Sequence, residues 1–465
     1  MPKRTILNDD TICAVATPAG EGAIHLIRIS GNKTRAVVTA VFRAGKKKKK
    51  IRRLVPRNSC FGYIVDDTGT VLDEVLLTFF KSPHTYTGDD LAEFTIHGNY
   101  LLAQRILRLM IKQGARLAER GEFTKRAFLN GKMDLTQAEA VHELIAAKTA
   151  VGVDVAFSHL EGSLRQEIGT VREQIVALLS EVEAYVDFPD EDIEVYSQKK
   201  LRDSLHVLTL HVVSLQASYD HGAIIREGVR AVIVGKPNVG KSSLLNTLLR
   251  RDRALVSAVP GTTRDSLEEL LDIKGILFRV IDTAGIRKRA TAIEQMGIAR
   301  TEAYLTESQL VIFVLDGSVP FSHEDRSIMG HIMHKNVIVV VNKADLPQRL
   351  SRGVAEKTFG KKNCIVLSTK TRAGIEKLER ALVQRVWQGK VAPDAAMLTS
   401  ERQYAVLSRV HESLNHARTA FDERVSLEFL AFDLREALDA LAELVGAVYT
   451  DDILDVVFKK FCIGK

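Results

Sequence analysis

The pattern of apolar and polar positions changes three times along the 465 residues, and each change marks a different kind of element. From residue 1 to about 118, short apolar runs such as "GAIHLIRIS" and "EVLLTFF" alternate with Gly, Pro and Asp turn signals, and one helical stretch, "LLAQRILRLMIKQG", follows "HGN". That mixture predicts an α+β domain. Residues 122 to 220 read as helix: "DLTQAEAVHELIAAK" places Leu135, Ala138, Val141 and Ile145 on one face. At about 229 the pattern becomes strand, glycine-rich turn, helix, and after about 390 it returns to helices, ending in "YTDDILDVVFKK" behind a Thr cap. The predicted segments are an α+β domain over 1–119, a helical domain in two parts over 120–228 and 389–465, and an α/β domain over 229–388 inserted between them. The two helical parts must pack across the insertion to bury their apolar faces.

Composition adds limits. The chain carries 65 basic and 58 acidic side chains, a net charge of +7, which permits an anionic partner without identifying nucleic acid. Cys13, Cys60, Cys364 and Cys462 are scattered without a Cys-x-x-Cys pair, so neither a disulfide framework nor a structural zinc site is expected. The opening residues hold no apolar core of signal-peptide length, and no segment reaches the roughly eighteen apolar residues of a membrane span. A soluble, cytoplasmic protein is therefore expected. The run "KKKKKIRR", residues 46 to 53, is read as a solvated loop, with an RNA contact as the alternative.

The chemistry concentrates in the inserted domain. In "RAVIVGKPNVGKSSLLNTLL" an apolar strand precedes a glycine-rich loop and a helix follows it, the context of a phosphate-binding loop. Asn238, Val239, Gly240, Lys241, Ser242 and Ser243 would surround the phosphates, with Lys241 as a point charge and the Ser242 hydroxyl on Mg²⁺. In "VVVNKAD", Asp345 can accept from the guanine ring N–H and exocyclic amine, which favours GTP over ATP. Lys343 would lie along the base, Asn342 would brace the loops, and Ser368, Thr369 and Lys370 fit the last base-contacting turn. "VIDTAG" supplies Asp282, Thr283, Ala284 and Gly285 for the Mg²⁺ surroundings and the γ-phosphate, while "PGTTRD" supplies Thr263 as a second hydroxyl on Mg²⁺. Ile286 follows where a glutamine would orient water in Ras-like proteins, and Glu294 is the nearby candidate for that task.

Those signatures, together with "DTICAVATPAGEGAIHLIRISG", "SPHTYTGDDLAEFTIHG", "GEFTKRAFLNGKMDLTQAEAV" and "FCIGK", resemble the MnmE (TrmE) family of tRNA-modifying GTPases nearly end to end. The resemblance implies an α+β N-terminal domain that binds folate and forms a homodimer, a central α-helical domain, and an α/β P-loop GTPase domain inserted into the helical one. It implies a K⁺-dependent GTPase that works with the FAD- and NADH-using partner MnmG (GidA) in a heterotetramer. Together they add an aminomethyl or carboxymethylaminomethyl group at C5 of the wobble uridine of certain tRNAs. The one-carbon donor would be 5,10-methylene- or 5-formyl-tetrahydrofolate, and GTP hydrolysis would drive dimerisation of the GTPase domains. Arg28, Glu93, Lys132 and Lys465 match the family's folate positions. Asn238 matches its main K⁺ ligand, with backbone groups at Ser257 and Val259 and with Thr262 closing over the ion; Ala258, Pro260 and Gly261 lie in the same nucleotide-facing loop.

Two points stay open in the sequence. Asn99 stands in "HGN" where the family often has His-Gly-Gly, and His97 beside it reads as either a structural or a catalytic histidine. In "FCIGK", Cys462 reads either as a small buried apolar residue or as a nucleophile, placed beside the reacting carbon by a flexible Gly464 that lets Lys465 reach the folate. The competing function is a ribosome-assembly or RNA-binding switch GTPase, which would share the inserted domain but have no use for a pterin site or this tail.

Overall fold

The computed structural model describes residues 10–51, 53–187, 198–252, 268–282, 304–351, 353–387, 396–423 and 425–465. By packing, the chain falls into two compact units, Met1–His142 with Asp439–Lys465, and Glu143–Leu438. Residues 439–465 continue the second helical part in sequence character, yet they pack with the first unit.

The first unit is built on an eight-stranded sheet. Its spatial order is Lys49–Lys50, Phe42–Ala44, Ser59–Val65, Val71–Phe80, Leu91–His97, Ile24–Ser30, Thr11–Val15 and Ala115–Leu117. Alternation assigns the faces: on Leu91–His97 the residues Ala92, Phe94 and Ile96 are buried, while Glu93, Thr95 and His97 look the other way. The buried face packs against helices Thr34–Val41 and Tyr100–Lys112 in one core that includes Val37, Phe42, Phe94 and Ile106. Asn99 caps the second of these helices, its Oδ1 accepting from the Leu102 N–H at 3.0 Å, which gives a local reason for asparagine in "HGN".

The lysine run departs from the expected loop. Residues 45–48 form a turn, and Lys49–Lys50 pairs antiparallel with Phe42–Ala44 as the outermost strand of the sheet. Pairing of Lys50 with Arg43 and of Lys49 with Ala44 tolerates the like-charge repulsion because every one of these lysines stays exposed to water, which screens it.

The second unit holds a six-stranded sheet in the order Glu268–Ile273, Ile276–Asp282, Val229–Val234, Leu310–Asp316, Val337–Asn342 and Cys364–Val366. All neighbours run parallel except the first pair. The central strands Leu310–Asp316 and Val337–Asn342 are buried along their whole length because helices cover both faces. The helices flanking the insertion meet: Gln198–Glu227 and Glu401–Asp422 are joined by Gln216 to Ser408 at 3.1 Å and by the stacked rings of Tyr219 and Tyr404. In helix Leu135–Ala146, Leu135, Ala138 and Val141 are buried as the period predicts, but Ile145, in the last turn, is 49% exposed. Among the described residues no helix is long and apolar enough to cross a membrane.

Candidate functional site

The loops expected to face a nucleotide follow the carboxyl ends of the parallel strands Val229–Val234, Ile276–Asp282, Leu310–Asp316 and Val337–Asn342 at one edge of the second unit's sheet. Ligands of open α/β sheets bind at this edge. The loop after Val234 turns tightly into helix Lys241–Asp252, with Asn238 at φ 62° and Gly240 at φ 99°. Gly240 has to be glycine twice over: the backbone is left-handed there, and a Cβ would strike the Asn342 carboxamide. Lys241 is buried, and its Nζ donates to the carbonyls of Gly235 at 2.7 Å and Lys236 at 2.8 Å, so its charge is held inside the loop. Ser242 and Ser243 follow in the first helical turn, both exposed.

Asn342 ties two loops together. Its Nδ2 donates to the Val239 carbonyl at 2.8 Å, and its Oδ1 accepts from the Thr369 N–H at 3.1 Å, with the side chain 1% exposed. Lys343 sits at φ 64°, and its Nζ donates to Asp316 Oδ2 at 2.6 Å. Burial alone would raise the Asp316 carboxyl, but the Lys343 and Ser318 hydrogen bonds outweigh it and hold it below the ordinary carboxylate range. Asp345 is exposed and accepts from Ser368 Oγ at 2.5 Å, a bond that lowers its own proton affinity and keeps it an acceptor. Asp316 is the residue that sequence reading missed. Its register opposite Asn342 in the neighbouring parallel strand was its only signal.

Several named residues fall elsewhere. Ser257, Ala258, Val259, Pro260, Gly261, Thr262, Thr263, Thr283, Ala284, Gly285, Ile286 and Glu294 lie outside the described residues, and Asp282 is described only as the last residue of its strand. Among the described residues no group of three or more His, Cys, Asp or Glu could hold a metal ion. The chemistry does not ask for one, since Mg²⁺ in a nucleotide site takes most of its oxygens from phosphates and water, with a hydroxyl such as Ser242 added.

In the first unit a second constellation forms around Arg28. It stands opposite Glu93 in the antiparallel register, and its Nε and Nη2 both donate to Glu93 Oε1, at 2.9 and 2.7 Å. Glu93 Oε2 has no hydrogen-bond partner among the described residues. The guanidinium lies 5.5 Å from the Tyr86 ring and 5.7 Å from the Phe123 ring, and its Nη1 reaches the Gly464 carbonyl at 3.5 Å. The tail is fixed there by its backbone: Ile463 bridges Arg120, Gly121 N–H donates to Cys462 O at 3.3 Å, and Phe123 N–H donates to Lys465 O at 3.2 Å. Burial lowers the Lys465 ammonium, the nearby Arg28 charge adds to that, and Glu93 opposes it.

Three details of the tail differ from expectation. Gly464 is buried at φ 96° against the Val15 carbonyl and Ala16 Cα, so a glycine is needed for close approach and not for flexibility. Cys462 is exposed, which removes the reading of it as a buried apolar residue. Phe461 fills that role instead, packed against Phe458 and His142. Lys132 is exposed and donates to the Pro83 carbonyl at 2.9 Å; no described hydrogen bond or ion pair joins it to Arg28, Glu93 or Lys465. His97 binds Asp73 at 2.6 Å, and that hydrogen bond and charge raise its pKa.

Helix Glu122–Leu129, which receives the tail, is itself anchored by a charge network. Arg126 is 3% exposed and bonds Asp10 at 2.6 Å and Glu122 at 2.9 Å, while Arg116 grips Glu122 through both oxygens.

Comparison with known proteins covers almost the whole chain. A family description for the N-terminus of the GTP-binding protein TrmE matches residues 11–132, and one for the MnmE helical domain matches 135–462. The chain is 43% identical to the tRNA modification GTPase MnmE of Alkaliphilus metalliredigens over 460 residues, 98% of this chain and 99% of that protein. It is likewise 43% identical to that of Alkaliphilus oremlandii, over 98% of this chain and 99% of that protein, and 40% identical to that of Natranaerobius thermophilus, over 99% and 100%.

Proposed function

This chain belongs to the MnmE family of tRNA modification GTPases and is a GTP hydrolase involved in tRNA modification, and from that premise we propose that it transfers a folate-borne one-carbon unit to C5 of a wobble uridine. The observation that carries this reading is the return of the tail to Arg28, which holds Glu93 and lies 436 positions away in sequence from Gly464. A pterin presents an amide N–H beside an exocyclic amine, and the Glu93 carboxylate can accept from both, using Oε2 while Oε1 stays on Arg28. Tyr86, partly exposed, offers a ring face beside the guanidinium, and Lys465, half-buried, suits an anionic or carbonyl oxygen of the folate. Lys132, on the rim with Pro83, answers the glutamate end. Tetrahydrofolate supplies the one-carbon group; Cys462 Sγ, exposed three residues before Lys465, is the nucleophile available to the base or to that carbon.

Glu93→Gln tests the pterin contact. By calorimetry the unaltered protein should bind 5-formyltetrahydrofolate saturably, and the variant should bind about ten- to a hundredfold more weakly, the loss expected when a charged acceptor becomes a neutral amide. No saturable binding by the unaltered protein would favour the switch-GTPase alternative.

In the GTPase domain, Lys241 and Ser242 serve the phosphates and Mg²⁺, Asp345 reads guanine, and Lys343, steered by Asp316, lies along the base. Thr263, Asp282, Thr283, Ala284 and Gly285 complete the γ-phosphate side, and Glu294 orients water where Ile286 does not. K⁺ supplies positive charge between the β- and γ-phosphates, a contribution worth roughly 10³ to 10⁵ in rate when an arginine makes it. Asn238 suits such an ion because it is exposed at a left-handed turn of the loop, so its carboxamide oxygen is accessible, with Ser257, Val259 and Thr262 to close the set. GTP hydrolysis should be fast in K⁺ and slow in Na⁺ at equal ionic strength. Asn238→Ala should abolish the difference while largely preserving GTP binding; equal rates in both salts for the unaltered protein would refute the K⁺ role. The homodimer, the MnmG partnership and tRNA as the polymer substrate belong to the same reading.

A further inference from the structure

The 44 residues from Gly22 to Val65 contain no Asp or Glu and twelve Lys or Arg. With those twelve set aside, the rest of the chain holds 53 basic against 58 acidic side chains, so this one segment accounts for the whole positive excess. The fold then concentrates it. Five lysines, Lys46 to Lys50, occupy the turn and the outermost strand of the first unit's sheet, all exposed. Such a density of like charge raises the energy of the folded unit unless something anionic screens it.

The same corner carries aromatic surface. Lys48, at φ 48° in the turn, holds its ammonium 5.0 Å from the Tyr63 ring, and Tyr63 meets Phe61 edge-to-face at 5.5 Å. Phe61 is 41% exposed, and Leu76, opposite it on the next strand, is 48% exposed. Both lie on the sheet face turned away from the helices. Glu74, across from Tyr63, is the acidic residue nearest in the register. A row of cations beside an open aromatic ring on a sheet is the combination that binds single-stranded nucleic acid: phosphates are neutralised by the lysines, and an unpaired base stacks on the ring. An acidic peptide would use the lysines but gain little from Phe61.

We infer that the hairpin Phe42–Lys50 and the ring of Phe61 form an RNA-contact surface that takes an unpaired, looped-out part of the tRNA. This deepens the proposed function by assigning a place to its polymer substrate, and it rests on that reading for the identity of the RNA.

The test uses the full chain and an unmodified tRNA transcript, with binding followed by fluorescence anisotropy over a salt series. A variant with Lys46, Lys47, Lys49 and Lys50 changed to Gln leaves Lys48 and the turn in place. It should bind at least tenfold more weakly near 0.15 M salt, with the slope of log K against log salt flattened by about 2 to 3, as expected for four lost phosphate contacts. Phe61→Ala should weaken binding about five- to a hundredfold with the slope unchanged, because stacking releases no counterions. GTP hydrolysis should be unaltered in both. Unchanged affinity and slope in the lysine variant would overturn the inference, as would a change of oligomeric state in place of RNA affinity, which would make this face a contact between copies. Normal wobble modification by both variants in cells would also overturn it while leaving the proposed function standing; loss of that function would instead show as absent modification dependence on the unaltered chain.

Discussion

Replacing Asn342 by Ala should lower GTP and GDP affinity by about a hundredfold or more while the protein remains folded. The side chain is 1% exposed and satisfies two backbone groups on two different loops, the Val239 carbonyl and the Thr369 N–H. Removing it leaves both unpaired in a buried place, at about 1–3 kcal/mol each. It also takes away the carboxamide against which Gly240 is packed, so the phosphate loop and the base-contacting turn lose their common brace. Fluorescent-nucleotide dissociation is the readout: the off-rate should rise by most of the affinity loss. Asn342→Asp keeps the acceptor for Thr369 but sets a carboxylate against the Val239 carbonyl, and it should be no better than Ala. Nucleotide affinity within threefold of the unaltered protein in both variants would remove Asn342 from this role.

Cys462→Ser should abolish tRNA modification and leave K⁺-stimulated GTP hydrolysis within about twofold. The substitution is nearly isosteric at an exposed position whose backbone carbonyl, and not its side chain, makes the recorded tail contact with Gly121. The tail should therefore stay docked on Arg120 and Phe123. A serine hydroxyl is a far weaker nucleophile than a thiol near neutral pH, so a covalent role would be lost outright. Near-normal amounts of modified wobble uridine in cells carrying the variant would leave the thiol without a chemical role, and equal loss of both activities would indicate a disturbed fold.

The two constellations differ in how far the sequence alone revealed them. Around Asn342 nearly every participant was nameable, because a phosphate loop compresses its requirements into eight consecutive residues, Gly235 to Ser242, with Asn238 and Gly240 where the backbone turns left-handed. Asp316 was not nameable, since its meeting with Lys343 depends on which strands become neighbours. Around Arg28, residues at 28, 86, 93, 123 and 464 come together only through sheet order and the docking of the tail, and the family resemblance, not local spacing, pointed to Arg28, Glu93 and Lys465 there, while Lys132 binds elsewhere. Tyr86 and Phe123 lay inside quoted stretches without being singled out, because an aromatic beside a charge in sequence does not say which ring an arginine will face. The errors have the same origin. Helical period placed Ile145 on the buried face although it is 49% exposed at the helix's last turn, charge repulsion suggested a loop at Lys46 to Lys50 where a turn at Gly45 permits strand pairing, and a glycine in a tail suggested freedom where Gly464 is pressed against Val15.

The central claim, that this GTPase acts in carbon transfer to the wobble base, is tested most directly by nucleoside mass spectrometry of tRNA from cells lacking the protein, beside the same cells carrying it again. The account predicts that C5-aminomethyl-type uridines disappear in its absence, leave uridine unmodified at C5, and return with the unaltered chain but not with Cys462→Ser. An unchanged set of wobble uridines in cells without the protein would contradict it.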